Sequence, residues 1–369
     1  MDFYCTDYGT RERWRIMATR DAQSERREFW RNLPDLPFRP NDGHKGTFGV
    51  TLVVAGSRGM SGAAGLVGAA ALRAGSGLTR VVVPEAIQDT VAGYAREYTT
   101  IGAPCDASGR FTEDALELIL DEARSATVVA VGPGLGRSQA LSRLVVNLFF
   151  SLPKPAIFDA DALNALAACR IFDEDADPFE EGASATLSSP RRTQGARVLT
   201  PHPGEFQRLF GFKPSGDYEA RVCAASDAAL KTFRYPTVAT ENRNGYEGSV
   251  VALKGAGTVI AQASTQIQFC EEDATTETNV VGQYVVNYTG NANLSTGGSG
   301  DVLTGIVAGL MAQGLGVMSA TRLGVALHGI AAELRTRVAS RGAVASDIIA
   351  FLPYAFDYVA IARETARKD

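Results

Sequence analysis

The segment Gly290-Asn-Ala-Asn-Leu-Ser-Thr-Gly-Gly-Ser-Gly-Asp301 places three glycines within four residues and a carboxylate directly ahead of a helical run. Backbone N–H groups of such a turn, at a helix N-terminus, form an anion hole. Here that hole is expected from Gly297, Gly298, Ser299 and Gly300. Asp301 stands at its edge, where a carboxylate can take the proton of a hydroxyl that attacks a phosphoryl group. The plainer reading makes Asp301 an N-cap, but capping does not explain the glycines. Phosphoryl transfer is the chemistry this segment supports.

Other chemistry-bearing residues fall in loops that follow short apolar runs. Gly56-Ser-Arg-Gly-Met-Ser-Gly-Ala-Ala64 and Gly132-Pro-Gly-Leu-Gly136 would let backbone approach a ligand, or are tight turns with nothing bound. In Thr200-Pro-His-Pro-Gly-Glu205 two prolines stiffen a loop that carries His202 and Glu205. That pair suits a polar ligand or a cation held through water; alternatively Glu205 caps its helix and His202 is a buried hydrogen-bonder. Asp159 and Asp161 could hold a metal or substrate hydroxyls, or Asp161 caps a helix. His44 and Lys45 precede Gly46-Thr-Phe-Gly49 and read equally as a surface loop. His328 lies in an apolar helix and reads as a satisfied core histidine.

These loops need a frame. Val50–Ala55, Leu78–Val83, Ala126–Val131, Ala156–Phe158, Arg197–Thr200 and Ser249–Leu253 are short apolar runs separated by helical stretches such as Ala63–Ala74, which Gly75 stops. That alternation predicts a mostly parallel sheet with helices on both faces, whose ligands sit beyond the strand C-termini. Residues 248–262 read as a hairpin around Lys254-Gly-Ala-Gly257. The last third is helical, with Leu303, Ile306, Val307, Leu310 and Met311 on one face. Residues 1–40 read as a polar N-terminal extension, in which residues 1–16, ahead of Met17, add nothing to the fold. Residues 41–369 form a single domain with surface insertions near 173–195 and 264–283.

Composition narrows the partners. The net charge of −5 disfavours nucleic acid. No run approaches the ~18 apolar residues that cross a bilayer, so no membrane partner is expected. Five scattered cysteines with no CxxC indicate neither a disulfide framework nor a zinc site, and a reducing cytoplasm is the simplest setting. Neither a signal nor a transit peptide opens the chain.

Together the segments resemble the ribokinase-like superfamily, and within it the ADP/ATP-dependent NAD(P)H-hydrate dehydratases. The resemblance runs from about His44 to residue 335 and is carried by His44-Lys-Gly-Thr-Phe-Gly, Ser61-Gly-Ala-Ala64, Gly132-Pro-Gly-Leu-Gly, Asp159-Ala-Asp-Ala-Leu, Leu199-Thr-Pro-His-Pro-Gly-Glu, Leu253-Lys-Gly-Ala-Gly-Thr-Val-Ile and Thr289-Gly-Asn…Gly-Gly-Ser-Gly-Asp-Val-Leu-Thr-Gly305, all in the same order. It implies a three-layer α/β sandwich and a repair reaction. The S form of hydrated NADH or NADPH (NADHX, NADPHX) is phosphorylated on its ring hydroxyl from ADP or ATP with Mg²⁺, and phosphate then leaves.

By the same resemblance Asp301 is the base. Ala64, Gly134, His202 and Asp301 contact the hydrated nicotinamide nucleotide. Lys254, Gly255, Ala256, Gly257, Thr258 and Gly300 contact the adenine nucleotide. Glu205 lies near the waters of Mg²⁺. A homo-oligomer, a tetramer in related enzymes, and pairing with a separate NAD(P)H-hydrate epimerase are also implied. Two other readings keep the anion hole: a kinase of the same superfamily acting on a vitamin-precursor alcohol, and a non-catalytic nucleotide sensor that would not need Asp301.

Overall fold

A computed structural model describes residues 28–173, 195–214, 216–233, 248–270 and 275–368. The expected insertion at 173–195 and the stretch 1–16 lie almost wholly or wholly outside them. The strands are β1 (Val50–Val54), β2 (Leu78–Pro84), β3 (Thr99–Ala103), β4 (Val128–Val131), β5 (Ala156–Phe158), β6 (Arg197–Leu199), β7 (Val250–Leu253), β8 (Val259–Cys270) and β9 (Thr275–Val286). The helices are α1 (Ser61–Arg73), α2 (Gln88–Ala92), α3 (Ala115–Arg124), α4 (Gln139–Ser151), α5 (Asp161–Ala168), α6 (Pro203–Phe210), α7 (Tyr218–Phe233), α8 (Ser299–Ala312), α9 (Val317–Val338) and α10 (Ala345–Lys368).

The nine strands of the described residues form one sheet in the order β3-β2-β1-β4-β5-β6-β7-β8-β9. Pairing is parallel from β3 to β7 and antiparallel for β8 and β9. Strands such as Val128–Val131 and Val250–Leu253 are buried at every position. β-branched side chains fill both faces, and successive residues alternate between two cores. Val53, Val81, Ala130 and Val250 face α1, α8, α9 and α10. Leu52, Val82, Val131 and Val251 face α3 to α7. The expected three-layer α/β sandwich is what the chain forms.

Three local expectations change. The helix after the glycine segment is not amphipathic: every residue from Val302 to Ala312 is buried. Its glycines explain how. A Cβ on Gly305 would lie 2.4 Å from the Val67 carbonyl oxygen, and one on Gly309 2.4 Å from that of Ala71. α8 and α1 therefore touch backbone to backbone, and α8 runs through the interior. Second, residues 264–270 and 275–283 lie in a long antiparallel ribbon formed by β8 and β9, which widens the sheet by two strands. Third, packing begins before residue 41. A helical turn at 28–32 buries Phe29 and Leu33 in the core shared with α9 and α10, and Arg363 donates to the Pro34 carbonyl at 2.6 Å.

Within α10, Ala345–Ala366 has the length and mean hydropathy (1.3) of a bilayer-crossing helix. Ile348, Leu352, Ala355 and Val359 are instead buried against the other helices.

Candidate active site

The loops after β5, β6 and β7 meet the first turn of α8. Lys254 follows β7, and its N–H donates to the Pro201 carbonyl at 2.9 Å, which ties that loop to the one after β6. Its ammonium lies 2.7 Å from Asp159 Oδ1 and 3.9 Å from Glu205 Oε2. Asp159, 1% exposed, follows β5, and its Oδ2 accepts from Thr304 Oγ1 of α8 at 2.7 Å. A Cβ on Gly300 would stand 3.4 Å from Lys254 Nζ and 3.7 Å from Asp159 Oδ2, so the glycine leaves that side of the ion pair open.

Asp301 lies in the first turn of α8, behind a left-handed Gly298 that forms the N-cap (φ 84°). The N-cap position is held by Gly298 and Asp301 stands inside the helix, so the N-cap alternative does not describe it. Burial, reinforced by Asp159 and opposed by Lys254, pushes its carboxyl up to about 6. Lys254 moves the other way from the usual buried amine. Burial draws its pKa down, but Asp159 and Glu205 outweigh that and raise it, so it is an ammonium at neutral pH. The expected anion hole needs one amendment: the Ser299 N–H already donates to the Thr296 carbonyl at 3.3 Å. The Ser299 hydroxyl and carbonyl face His328 Nε2, at 3.1 and 2.9 Å. His328 is buried and its pKa falls to about 4 for that reason, which fits the core histidine expected.

His202 and Glu205 cap α6 reciprocally. His202 Nδ1 accepts from the N–H groups of Gly204 (3.0 Å) and Glu205 (3.3 Å), and Glu205 Oε2 accepts from the His202 N–H at 2.9 Å. The capping alternative is thus present, but His202 is exposed, not buried. An accepting Nδ1 assigns the ring hydrogen to Nε2. Burial, then Lys254 and Arg208, lower its pKa. Burial raises that of Glu205.

The loops after β1 and β4 are knit together. Gly56 N–H donates to the Pro133 carbonyl at 2.8 Å and Ser57 Oγ to that of Gly134 at 2.8 Å. Gly134 (φ 67°) would carry a Cβ 2.9 Å from the Met60 carbonyl oxygen, so only glycine fits. Asp161 does not cap α5. Its Oδ2 accepts from the Gly136 N–H at 2.9 Å. Between the two aspartates Ala160 holds φ 51°, ψ −119°. This strained turn sends Asp159 to Lys254 and Asp161 to Gly136. Ala64 is fully enclosed beneath Gly56 and presents no surface, because its methyl belongs to the core of α1. His44 and Lys45 sit at the opposite, N-terminal end of β1.

Arg221 of α7 organises the loop after β7. Its Nη2 donates to the carbonyls of Leu253 (3.2 Å), Lys254 (3.4 Å) and Gly257 (3.3 Å). Carbonyls turned inward send the next N–H groups, those of Gly255 and Thr258, the other way. Gly255 and Ala256 are exposed, while Thr258 is buried and donates from its hydroxyl to the Gly255 carbonyl at 3.1 Å. Sequence reading missed Thr304 and Arg221. Thr304 had a signal, lying three residues after Asp301 on the same helix face; Arg221 had none.

Among known proteins, the family described as NAD(P)H-hydrate dehydratase matches residues 51–353. The bifunctional NAD(P)H-hydrate repair enzyme of Moorella thermoacetica is 38% identical over 321 residues, covering 86% of this chain and 51% of its own. The ADP-dependent (S)-NAD(P)H-hydrate dehydratase of Neisseria meningitidis is 33% identical over 311 residues, 80% of each chain. Among solved structures, the ADP/ATP-dependent NAD(P)H-hydrate dehydratase of Bacillus subtilis, co-crystallised with ATP and Mg²⁺, matches with a TM-score of 0.61 and 27% identity, over 90% of this chain and 97% of that one. The chain spans about half the length of the bifunctional relatives.

Proposed function

Because the chain belongs to the NAD(P)H-hydrate dehydratase family, we propose that it restores NADH and NADPH from their S hydrates, with ADP or ATP as phosphoryl donor. The observation that carries this reading is Asp301, a carboxylate whose pKa is raised to about 6, in the first turn of α8 beside the ion pair of buried Asp159 and half-buried Lys254. Asp301 takes the proton of the ring hydroxyl as its oxygen attacks the terminal phosphorus, and the P–O bond to the nucleotide breaks. Phosphate then leaves with the C–O electron pair, the adjacent ring carbon gives up a proton, and the double bond returns. Hydroxide is a poor leaving group and phosphate a good one. The Lys254 ammonium faces the transferring group, and the outward N–H groups of Gly255 and Thr258 hold the donor's phosphates.

No group of three or more His, Cys, Asp or Glu among the described residues forms a metal cage. That fits Mg²⁺, which keeps several waters and arrives on nucleotide phosphates. Glu205 would hold it through water, and when bound it neutralises charge on the phosphates. Half of each bifunctional relative's length lies outside the match; the reading pairs this reaction with an epimerase activity, which supplies the S form.

The test is recovery of the reduced-nicotinamide absorbance from each hydrate with ADP and ATP in parallel. No recovery with either, together with phosphorylation of a thiazole or pyrimidine alcohol, would overturn the reading in favour of a small-molecule kinase. A second expectation concerns Asp159. Asp159→Asn releases the Lys254 ammonium and removes a charge that raises the Asp301 pKa. kcat should fall on the order of 10²-fold, the cost of a misplaced group, and the acid limb of the pH–rate profile should move below pH 6. An unmoved limb would show that Asp159 does not act on Asp301.

A further inference from the structure

The geometry points to a binding site for the phosphates of the dinucleotide acceptor, formed by Arg58 and Arg137 on the loops after β1 and β4 and braced by Arg110. This rests on the reaction proposed above. Strand order supplies the direction. The donor loop, Lys254–Thr258, follows β7; Asp159 follows β5; the loops holding Arg137 and Arg58 follow β4 and β1. Attack on phosphorus runs in line, acceptor opposite the leaving group. With the donor on the β7 side, the hydroxyl enters from the β4 and β1 side. That hydroxyl belongs to one end of a dinucleotide, whose remainder carries a pyrophosphate and, in NADPHX, a 2′-phosphate. Those anions must lie over the ends of β4 and β1.

Three arginines are carried on loops that touch there, although the chain as a whole carries −5. Arg58 donates its N–H to the Gly109 carbonyl at 3.1 Å and its Nη1 to that of Ala107 at 3.2 Å, which brings the loop after β3 onto the loop after β1. Arg110, in that same loop, is fixed by Asp106 (Nε 3.1 Å, Nη2 3.1 Å) and donates Nη1 to the Arg137 carbonyl at 2.9 Å. A Cβ on Gly136 would touch the Arg110 stem at 3.4 Å. Asp106 occupies Arg110, so Arg110 acts as a brace. Arg58 and Arg137 are exposed, and neither makes an ion pair among the described residues. Gly136 in turn binds Asp161, two residues from Asp159. The loops that carry these arginines therefore adjoin the reacting centre on its acceptor side. Planar guanidinium is suited to phosphate oxygens, which it binds bidentately.

The full-length double variant Arg58→Ala/Arg137→Ala tests this against wild type, with KM measured for NADHX, NADPHX and the adenine nucleotide, and unhydrated NADPH titrated calorimetrically. We expect hydrate KM and NADPH Kd to rise roughly tenfold, the donor KM to stay, and the salt dependence of hydrate KM to flatten. An equal rise for both hydrates assigns the site to the pyrophosphate; a rise confined to NADPHX assigns it to the 2′-phosphate. Unchanged hydrate KM and NADPH Kd, or a rise in donor KM instead, would overturn the inference. If wild type repaired no hydrate yet bound NADPH through these arginines, the reaction reading would fail and the site would stand.

Discussion

Replacing Asp301 by asparagine should lower kcat/KM by about 10²–10⁴-fold and at the same time raise the melting temperature at pH 7. The first effect follows from chemistry: an amide accepts no proton from the attacking hydroxyl. The second follows from the site's electrostatics. The folded-state pKa of about 6 lies above the usual 3.8 because burial and Asp159 oppose ionisation. A raised carboxyl favours the fold at low pH, and that advantage is lost as pH rises through about 6. At pH 7 the ionised group costs on the order of 3 kcal/mol, at ~1.36 kcal/mol per unit. Asparagine has a similar shape and no charge to desolvate, so it recovers part of that cost. Adenine-nucleotide affinity should be nearly kept, since removing a negative charge does not weaken phosphate binding. In the wild type, kcat/KM should fall as pH drops through about 6, where the base becomes protonated. A variant that kept turnover within tenfold would remove Asp301 from the chemistry, and a sensor reading would gain if wild type and variant were equally inactive on every hydroxyl substrate.

The second large effect lies outside the site. Arg197→Met should cost at least about 4 kcal/mol of stability, read from urea midpoints. Arg197 is 0% exposed. Its Nε donates to the Phe149 carbonyl (2.9 Å), Nη2 to Leu152 (3.0 Å), and Nη1 to Lys154 (2.9 Å) and Gly195 (2.8 Å). The first two are orphan carbonyls at the C-terminal end of α4, where the helix dipole favours a cation. Burial draws the guanidinium pKa down to about 9, so it is still charged at neutral pH. Methionine fills the space but strands three buried acceptors and one half-buried one, each buried acceptor worth about 1–3 kcal/mol. Arg197→Lys should not rescue, because a single ammonium cannot span the four carbonyls of the fork. A loss under about 1 kcal/mol would show that water or rearranged backbone satisfies them.

How much of this could be read from the chain depended on distance along it. β1, β4 and β7 were legible because strands buried on both faces are continuous β-branched runs. β3 was not: Thr99 is exposed, Thr100 to Gly102 are only half-buried, and they show no such run. The glycines before Asp301 announced a helix start, and the spacing of Leu303 to Met311 announced its core face. The burial of its other faces came from Gly305 and Gly309, whose meaning depends on a partner helix far away in sequence. Asp159 and Lys254 are separated by 95 residues, so each was visible as a candidate but their pairing was not. Arg197 reads in sequence as the polar start of a strand, since its burial depends chiefly on carbonyls at and just beyond the end of α4.

The histidine beneath the first turn of α8 has a consequence for acid tolerance. His328 resists protonation when folded, with a pKa near 4 against 6.5 in the open chain. Its contribution to stability is complete above pH 6.5 and drains away as pH falls toward 4. Asp301, a few residues from the Ser299 that His328 contacts, titrates across nearly the same interval with the opposite sign. Around pH 5 one group withholds about as many protons as the other takes up. The pair thus buffers the folding equilibrium, and the base that the chemistry requires also offsets the acid sensitivity of the histidine supporting its helix.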